Sequence, residues 1–251
     1  MASIELRQVT IEFPIYNMSS RSMKKDFLRL ATGGNVMRDN KQHVVVRSLN
    51  NINLTLQHGD RIGLIGHNGA GKSTMLRLLA KIYEPTYGQV NIDGYISPML
   101  DLMQGMDYEA SGHDNILMRG IILGLTHKEI TKQIDDIAEL TGLGDYLTMP
   151  VRTYSAGMML RLGFAIASSI KPDILLIDEV FGPGDSAFVK KSQERMVQLL
   201  NQSSIVVMAN HSDDLIREFC NKVLLLESGR VKFFGSVDEA FALYHATNVS
   251  A

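Results

Sequence analysis

The chain reads Gly66-His67-Asn68-Gly69-Ala70-Gly71-Lys72-Ser73-Thr74 at the position that decides its fold. This stretch, called the phosphate loop below, matches the pattern G-x-x-x-x-G-K-[ST] at every position. The apolar run at 61–65 predicts a short buried strand before it, and residues 75–81 predict a helix after it. Because the pattern binds phosphate only between a strand and a helix, these flanks favour a phosphate site over a bare glycine-rich turn.

The residue types in the phosphate loop suit an anion. Glycines let backbone N–H groups converge without a Cβ in the way, and the following helix directs its positive dipole end to the same point. Lys72 would reach the β- and γ-phosphates of a nucleotide, and the Ser73 hydroxyl would ligate Mg²⁺.

Composition excludes several classes of protein. The chain has 251 residues, 45% hydrophobic and 21% charged, which is ordinary for a globular protein. The net charge of −2 provides no global field toward nucleic acid. The single cysteine, Cys220, excludes a disulfide within the chain and indicates a reducing compartment. No apolar run approaches the roughly 18 residues of a membrane span, and Glu5 and Arg7 interrupt any signal-peptide core.

Hydrophobic periodicity predicts the class of fold. Alternation at 3–13 predicts a half-exposed strand, and residues 44–46 and 52–56 predict two further strands. The pattern is helical over 111–170. Continuous apolar runs at 174–177 and 205–209 then alternate with helices, which predicts a mainly parallel α/β sheet. Residues 223–227 and 231–234 predict a hairpin around Ser228-Gly229-Arg230.

The segment 19–31 predicts an amphipathic helix with a basic side. Met23, Phe27 and Leu30 share one face, and Arg21, Lys24, Lys25 and Arg29 lie off that face. Such a helix could lie on a membrane surface or a partner, or it could pack on its own domain. The sequence leaves both interpretations open.

Three other positions could act on a bound nucleotide. The apolar run at 174–177 delivers Asp178 and Glu179 to the end of a strand, where ligands bind in open α/β sheets. Asp178 would hold Mg²⁺, and Glu179 would accept a proton from the attacking water. His211, just after the run at 205–209, could contact the γ-phosphate. The stretch Tyr154-Ser155-Ala156-Gly157-Met158 precedes a helix, where Ser and Gly can bind an anion.

The order and spacing of these motifs resemble the nucleotide-binding subunit of ABC transporters over nearly the whole chain. The phosphate loop corresponds to Walker A, 174–178 to Walker B, and 154–158 to the signature of that family. By this resemblance, Glu179 is the catalytic glutamate, Asp185 lies in the D-loop, His211 is the switch histidine, and Ser155 and Gly157 contact nucleotide. The Q-loop residue is Asp101 by its position after a strand, or Gln104 as the nearest glutamine. Phe13 or Tyr16 would stack on adenine, although both could equally be packing residues at a strand end.

The Tyr-Ser-x-Gly-Met signature is similar to that of the branch that exports O-antigen, other lipid-linked polysaccharides and teichoic acids. The resemblance implies a P-loop ABC ATPase fold, with a RecA-like core, an antiparallel β subdomain, a helical subdomain at about 106–168 and an insertion at about 17–43. It implies a single nucleotide-binding domain over 1–251 without a C-terminal carbohydrate-binding domain. It also implies ATP and Mg²⁺ as ligands, a homodimer, an integral-membrane permease as partner, and a peripheral location on the cytoplasmic face of the inner membrane.

Two other functions remain open at this point. The chain could serve an ABC exporter of a different substrate, against which only the signature and the basic insertion speak. It could also be a soluble ABC ATPase acting on nucleic acid or ribosomes. Members of that group carry a long coiled coil between the Walker motifs or a second nucleotide domain, and this chain shows neither heptads nor a second phosphate loop. We therefore expect no nucleic-acid partner.

Overall fold

The computed structural model describes residues 1–15, 36–38, 44–178 and 186–248, with the backbone alone at 36–38, 186, 187, 247 and 248. The chain forms two units. The first contains Met1–Gly94, Leu176–Asp178 and Ser204–Ala251, and the second contains Tyr95–Leu175 and Glu179–Ser203. The predicted helix at 19–31 lies outside the described residues, as do Tyr16, Glu179 and Asp185.

The elements alternate in type along the chain. The strands are β1 (Ser3–Pro14), β2 (Val36–Arg38), β3 (Val44–Gln57), β4 (Arg61–Ile65), β5 (Tyr87–Asp93), β6 (Ile96–Met99), β7 (Ile174–Asp178), β8 (Ile205–Ala209), β9 (Lys222–Glu227) and β10 (Arg230–Gly235). The helices of the described residues are α1 (Lys72–Leu79), α2 (Gly112–Ile122), α3 (His127–Thr131), α4 (Ile134–Thr141), α5 (Ala156–Ala167), α6 (Ser186–Gln202), α7 (Asp213–Phe219) and α8 (Val237–Asn248).

An antiparallel sheet in the first unit has the strand order β2-β3-β1-β5. Its central strand β1 pairs with β3 at Ile4↔Leu56 and with β5 at Ile4↔Ile92. Ile4 and Leu6 are buried while Ser3 and Arg7 are exposed, as expected for a strand with one face on a core. The predicted strand at 3–13 is confirmed.

The structure corrects the prediction of two separate strands at 44–46 and 52–56, because β3 is one continuous strand. The polar residues between them hide the strand from a periodicity analysis. Asn51 has a positive φ of 53°, and its N–H donates to Thr10 Oγ1 at 3.0 Å. The register against β1 shifts in this region, so a bulge carries the strand through the polar residues.

The other sheet of the first unit is mainly parallel and has the strand order β10-β9-β4-β8-β7. Strand β7 contributes Leu176–Asp178 to this unit. Strand β4 pairs in parallel with β8, at Leu64↔Ala209, and with β9, at Leu64↔Leu224. All three strands are almost entirely buried, which is typical of parallel strands covered on both faces. The hairpin β9–β10 is antiparallel, so the predicted α/β class and hairpin are confirmed.

The second unit is mainly helical. Its core is formed by apolar residues that include Ile116, Ile130, Ile137, Leu162 and Ile166, each at most 2% exposed. Two capping boxes fix the helix starts, Ser111 with Asp114 at α2 and Thr126 with Glu129 at α3. Strand β6 lies beside the start of β7. Across the described ranges of both units, we find no helix long and apolar enough to cross a bilayer.

Candidate nucleotide-binding site

The phosphate loop leaves the end of β4 at a point where only glycine fits. Gly66 has φ +148°, and a Cβ built there would overlap the carbonyl oxygen of Leu226 on the neighbouring strand β9. Gly71 has φ +107°, and its Cβ would lie 2.7 Å from the carbonyl oxygen of Ser48. Glycine reaches such backbone angles at no steric cost. Both glycines therefore allow the loop to approach its neighbours closely while its tip, His67–Gly69, stays exposed.

Lys72 opens helix α1 and turns its amine back over the loop. Its Nζ donates to the carbonyl oxygens of Gly66, at 2.7 Å, and His67, at 3.2 Å. The ammonium group therefore lies within the loop that the sequence assigns to phosphate. As a compact cation with three donors, it can exchange a carbonyl for a phosphate oxygen without leaving this position.

The two hydroxyls after Lys72 have different surroundings. Thr74 Oγ1 shares a hydrogen bond of 2.7 Å with Ser48 Oγ of β3, so this side chain attaches α1 to the antiparallel sheet. Ser73 is exposed. This difference agrees with the prediction that Ser73, rather than Thr74, supplies the metal-binding hydroxyl, and that prediction stays open.

Residues far away in the sequence brace the phosphate loop. The N–H of Gly229, in the β9–β10 turn, donates to Ala70 O at 3.0 Å, and Gly229 O accepts from Asn50 N at 2.8 Å. The ring of Tyr244 on α8 lies 5.5 Å from that of His67. Sequence reasoning missed these contacts: Gly229 was recognised only as a turn residue, and no local pattern distinguishes Tyr244.

Asp178 ends one strand of the parallel sheet, and His211 follows another strand of the same sheet. Asp178 is the half-buried last residue of β7, which neighbours β8. The β4–β8 ladder ends at the pair Leu64↔Ala209, and Gly66 and His211 each follow two residues after their member of this pair. His211 is exposed, in a turn where Ser212 N donates to Asn210 Oδ1 at 2.7 Å. The phosphate loop, Asp178 and His211 thus all belong to the first unit.

Phe13 lies near the end of β1, paired with Val46. Its half-buried ring packs edge-on against Tyr83, with centroids 5.3 Å apart. Arg77 of α1 lies on the same tyrosine, its guanidinium 6.0 Å from the ring centroid. One side of Phe13 therefore serves packing, and stacking on adenine stays a prediction for this residue, as for Tyr16.

The signature opens helix α5 in the second unit. Ser155 is the N-cap and accepts from Met158 N at 3.3 Å, while Ser155, Ala156 and Gly157 are all exposed. A Cβ at Gly157 would meet only Ser155 Oγ, at 3.9 Å. Tyr154 points the other way, where its hydroxyl donates to Tyr146 O at 2.6 Å and partial burial raises its pKa. The exposed helix start has room for an anion.

Both Q-loop candidates lie in the turn after β6. Asp101 is exposed, and its Oδ1 accepts from Met103 N at 3.1 Å. Gln104 is exposed as well, and its N–H donates to Asp101 O at 3.3 Å. Burial lowers the pKa of the Arg119 guanidinium on α2, and the charge of Asp101 opposes this shift. The charge of Asp101 thus interacts with Arg119, but the choice between the two Q-loop candidates stays open.

The comparisons with known proteins identify the family of the chain. Residues 49–182 match the family model described as ABC transporter. The chain is 44% identical over 231 residues to the O-antigen export system ATP-binding protein RfbE of Yersinia enterocolitica, covering 92% of this chain and 97% of that protein. It is 40% identical over 223 residues to RfbB of Myxococcus xanthus, which carries the same description, and spans half of that longer protein.

A solved structure shows the same fold. The ATP-binding cassette MJ0796, in a dimeric post-hydrolysis state bound to ADP and phosphate, superposes with a TM-score of 0.67 at 20% identity. The match covers 93% of this chain and 98% of that chain. The predicted ABC ATPase fold is thereby confirmed. The chain belongs to the ABC transporter family, as one of its ATP-hydrolysing cassettes.

Proposed function

We propose that this protein is the ATP-hydrolysing subunit of an ABC exporter that moves a lipid-linked polysaccharide of the O-antigen type across the cytoplasmic membrane. The observation that carries this proposal is the 44% identity, over almost the full length of both chains, to an O-antigen export ATP-binding protein. In this proposal, the subunit lies at the cytoplasmic face of the membrane beneath separate permease subunits.

The nucleotide part of the proposal rests on the first unit. The N–H groups of the phosphate loop and the Lys72 amine would hold the β- and γ-phosphates of ATP. Ser73 and Asp178 fit Mg²⁺, because hydroxyl and carboxylate oxygens are ligands that this ion takes together with phosphates and water. The ion would neutralise charge that develops on the phosphates. His211, which follows the end of β8 two residues after Ala209, would contact the γ-phosphate.

The remaining steps rest on positions outside the described residues and on the second unit. Glu179 would take the proton of the attacking water, and Asp185 would lie at the interface between two copies. The exposed Ser155 and Gly157 of one copy would contact the ATP held by the other. Two copies would therefore enclose two nucleotides. The cassette MJ0796, which has the same fold, is dimeric in its post-hydrolysis state bound to ADP and phosphate.

Two substitutions separate binding from hydrolysis. Glu179→Gln should lower ATP turnover by roughly 10²–10⁴-fold while ATP still binds, because only the base is lost. Lys72→Ala should instead weaken ATP binding by about 10–100-fold, since it removes charge-assisted phosphate contacts. Turnover and fluorescent-nucleotide binding would be measured on both variants. Near-normal turnover in Glu179→Gln would remove Glu179 from this role.

The substrate is tested in cells. Deleting the gene should abolish the surface polysaccharide and cause its lipid-linked precursor to accumulate inside, and the wild-type gene should restore export. The Glu179→Gln gene should not restore it. Normal surface polysaccharide in the deletion strain, together with ATPase activity of the purified protein, would assign the subunit to another substrate.

A further inference from the structure

The turn after β6 is held by two polar side chains that are buried on one helix. Asn115 is fully buried on α2, and Arg119, four residues later, is 5% exposed. Residues four apart lie on the same face of a helix. Burying an amide and a guanidinium is costly unless both are hydrogen-bonded. Their partners therefore show what this face of α2 is built to hold.

Arg119 holds the residue next to the first Q-loop candidate. Its Nη1 donates to the carbonyl oxygen of Leu102, and the charge of Asp101 acts on the same guanidinium. From α5, Gly163 packs against the same carbonyl so closely that a Cβ there would overlap it. The Leu102 peptide is thus clamped between α2 and the helix that the signature opens.

Asn115 holds the other end of the same turn. Its Oδ1 accepts from Asp107 N at 2.9 Å, and its Nδ2 donates to Asp107 O at 2.8 Å and to Ser111 O at 2.9 Å. The backbone after Asp107 then pairs with the segment before the signature. Val151 N donates to Ala110 O and Arg152 N to Tyr108 O, both at 2.9 Å.

Two connections therefore run from the 101–107 turn to the signature. One passes through Leu102 and Gly163 into α5, and the other passes through Asp107 and the paired segment at 150–152, three residues before Ser155. Both start from side chains of α2. A displacement of the turn cannot occur without moving at least one of these connections or breaking a buried hydrogen bond.

We propose that Arg119 and Asn115 are positioning residues that make the 101–107 turn and the start of α5 one rigid piece. The catalytic consequence rests on the function proposed above, in which Asp101 or Gln104 lies near the γ-phosphate and Ser155 contacts nucleotide. Arg119 is buried, and its hydrogen bond goes to a backbone carbonyl of the turn. It acts by keeping the turn where its polar residues meet the phosphate.

The test compares two arginines that donate to backbone carbonyls in the same unit. Arg119→Met removes the donor to Leu102 O. Arg195→Met is the matched control, because Arg195 Nε donates to Ser168 O at 3.1 Å, away from the turn. We expect Arg119→Met to lower kcat for ATP hydrolysis by about 10–100-fold, with KM for ATP changed by less than about threefold because Lys72 and the phosphate loop are intact.

Arg119→Lys serves as the conservative variant, since it keeps a positive donor and is expected to fold even if Arg119→Met does not. It should recover part of the lost kcat. If folded Arg119→Met turns over ATP like the wild type, or if Arg195→Met loses as much kcat, the positioning role is wrong.

Hydrogen–deuterium exchange tests whether Arg119 holds the turn, separately from whether the turn affects ATP hydrolysis. The amides of Met103, Gln104 and Met106 are hydrogen-bonded within the turn, so they should exchange faster in Arg119→Met and Arg119→Lys than in Arg195→Met. Unchanged exchange would overturn the clamp itself. Faster exchange with normal kcat would keep the clamp but refute the proposed role of the turn in hydrolysis.

Discussion

Two positions of the phosphate loop require glycine because the backbone of strands remote in sequence lies against them. Gly66 lies against Leu226, and Gly71 lies against Ser48, so in each case a peptide occupies the space that a side chain would need. The requirement for glycine is therefore partly steric and independent of any ligand. The motif at this point serves the packing of the sheet, in addition to the phosphate binding predicted for it.

Cys220 gives a prediction at the same scale. Burial raises the pKa of its thiol to about 12, and the residue is 9% exposed at the end of α7. Because the folded pKa exceeds the usual thiol value of 9.0, this group favours folding at neutral pH and loses its contribution as the pH rises from about 9 toward 12. The thiol should stay protonated and react slowly with iodoacetamide at pH 8.

Mass spectrometry of the alkylated protein checks this expectation, with the protein unfolded in urea as the control. Labelling should be complete within minutes in urea and should be slower by at least about 100-fold in buffer, because the thiolate fraction falls about tenfold per pKa unit. Equal labelling rates would show that Cys220 is accessible and ionisable in the folded state.

At the scale of elements, helix α5 both carries the signature and contributes to the core of the second unit. Its exposed N-terminus carries the signature, while Leu162, Ala165 and Ile166 are buried in the core of the second unit. Its two glycines have opposite surroundings, since Gly163 abuts Leu102 O and Gly157 faces open space. The same substitution at the two positions should therefore have different effects on stability.

Gly163→Ala should lower the free energy of unfolding by about 1–3 kcal/mol, because the new methyl group must displace a backbone carbonyl. The matched variant Gly157→Ala should be neutral or stabilising by at most about 1 kcal/mol, since alanine is the better helix former. Urea unfolding monitored by circular dichroism gives both values. A Gly163→Ala protein as stable as the wild type would mean that α5 and the turn can move apart freely.

For the molecule as a whole, the proposed nucleotide site shared by two copies predicts that assembly depends on ATP. Glu179→Gln should retain ATP and therefore elute as a dimer with MgATP, at twice the 27.9 kDa chain mass, and as a monomer without it. Lys72→Ala should form less dimer than Glu179→Gln at the same ATP concentration, because it binds the nucleotide that joins the copies about 10–100-fold more weakly. Light scattering after gel filtration measures the mass. A monomer of Glu179→Gln at saturating ATP, with or without permease present, would contradict the two-copy site.

Much of the fold and part of the site could be predicted from local patterns. Residues adjacent in sequence are sufficient to predict the phosphate loop, the buried runs of β4, β7 and β8, and the hairpin β9–β10. The break predicted inside β3 was wrong, because Asn51 N finds its partner at Thr10 on another strand. The periodicity of one segment does not reveal a strand whose hydrogen bonds come from a neighbouring strand.

The sequence by itself determined the strand, glycine loop and helix around Gly66–Thr74, the order of the motifs along the chain and the parallel α/β class, because backbone geometry and hydrophobic period are local properties. It also predicts phosphate binding at that loop. Only the tertiary structure decided that Ser48, Gly229 and Tyr244 brace the loop, that β4 pairs with β8 up to Leu64 and Ala209, and that Arg119 clamps Leu102 against Gly163. These arrangements join residues far apart in the chain, so they depend on which surfaces meet when the core of each unit packs.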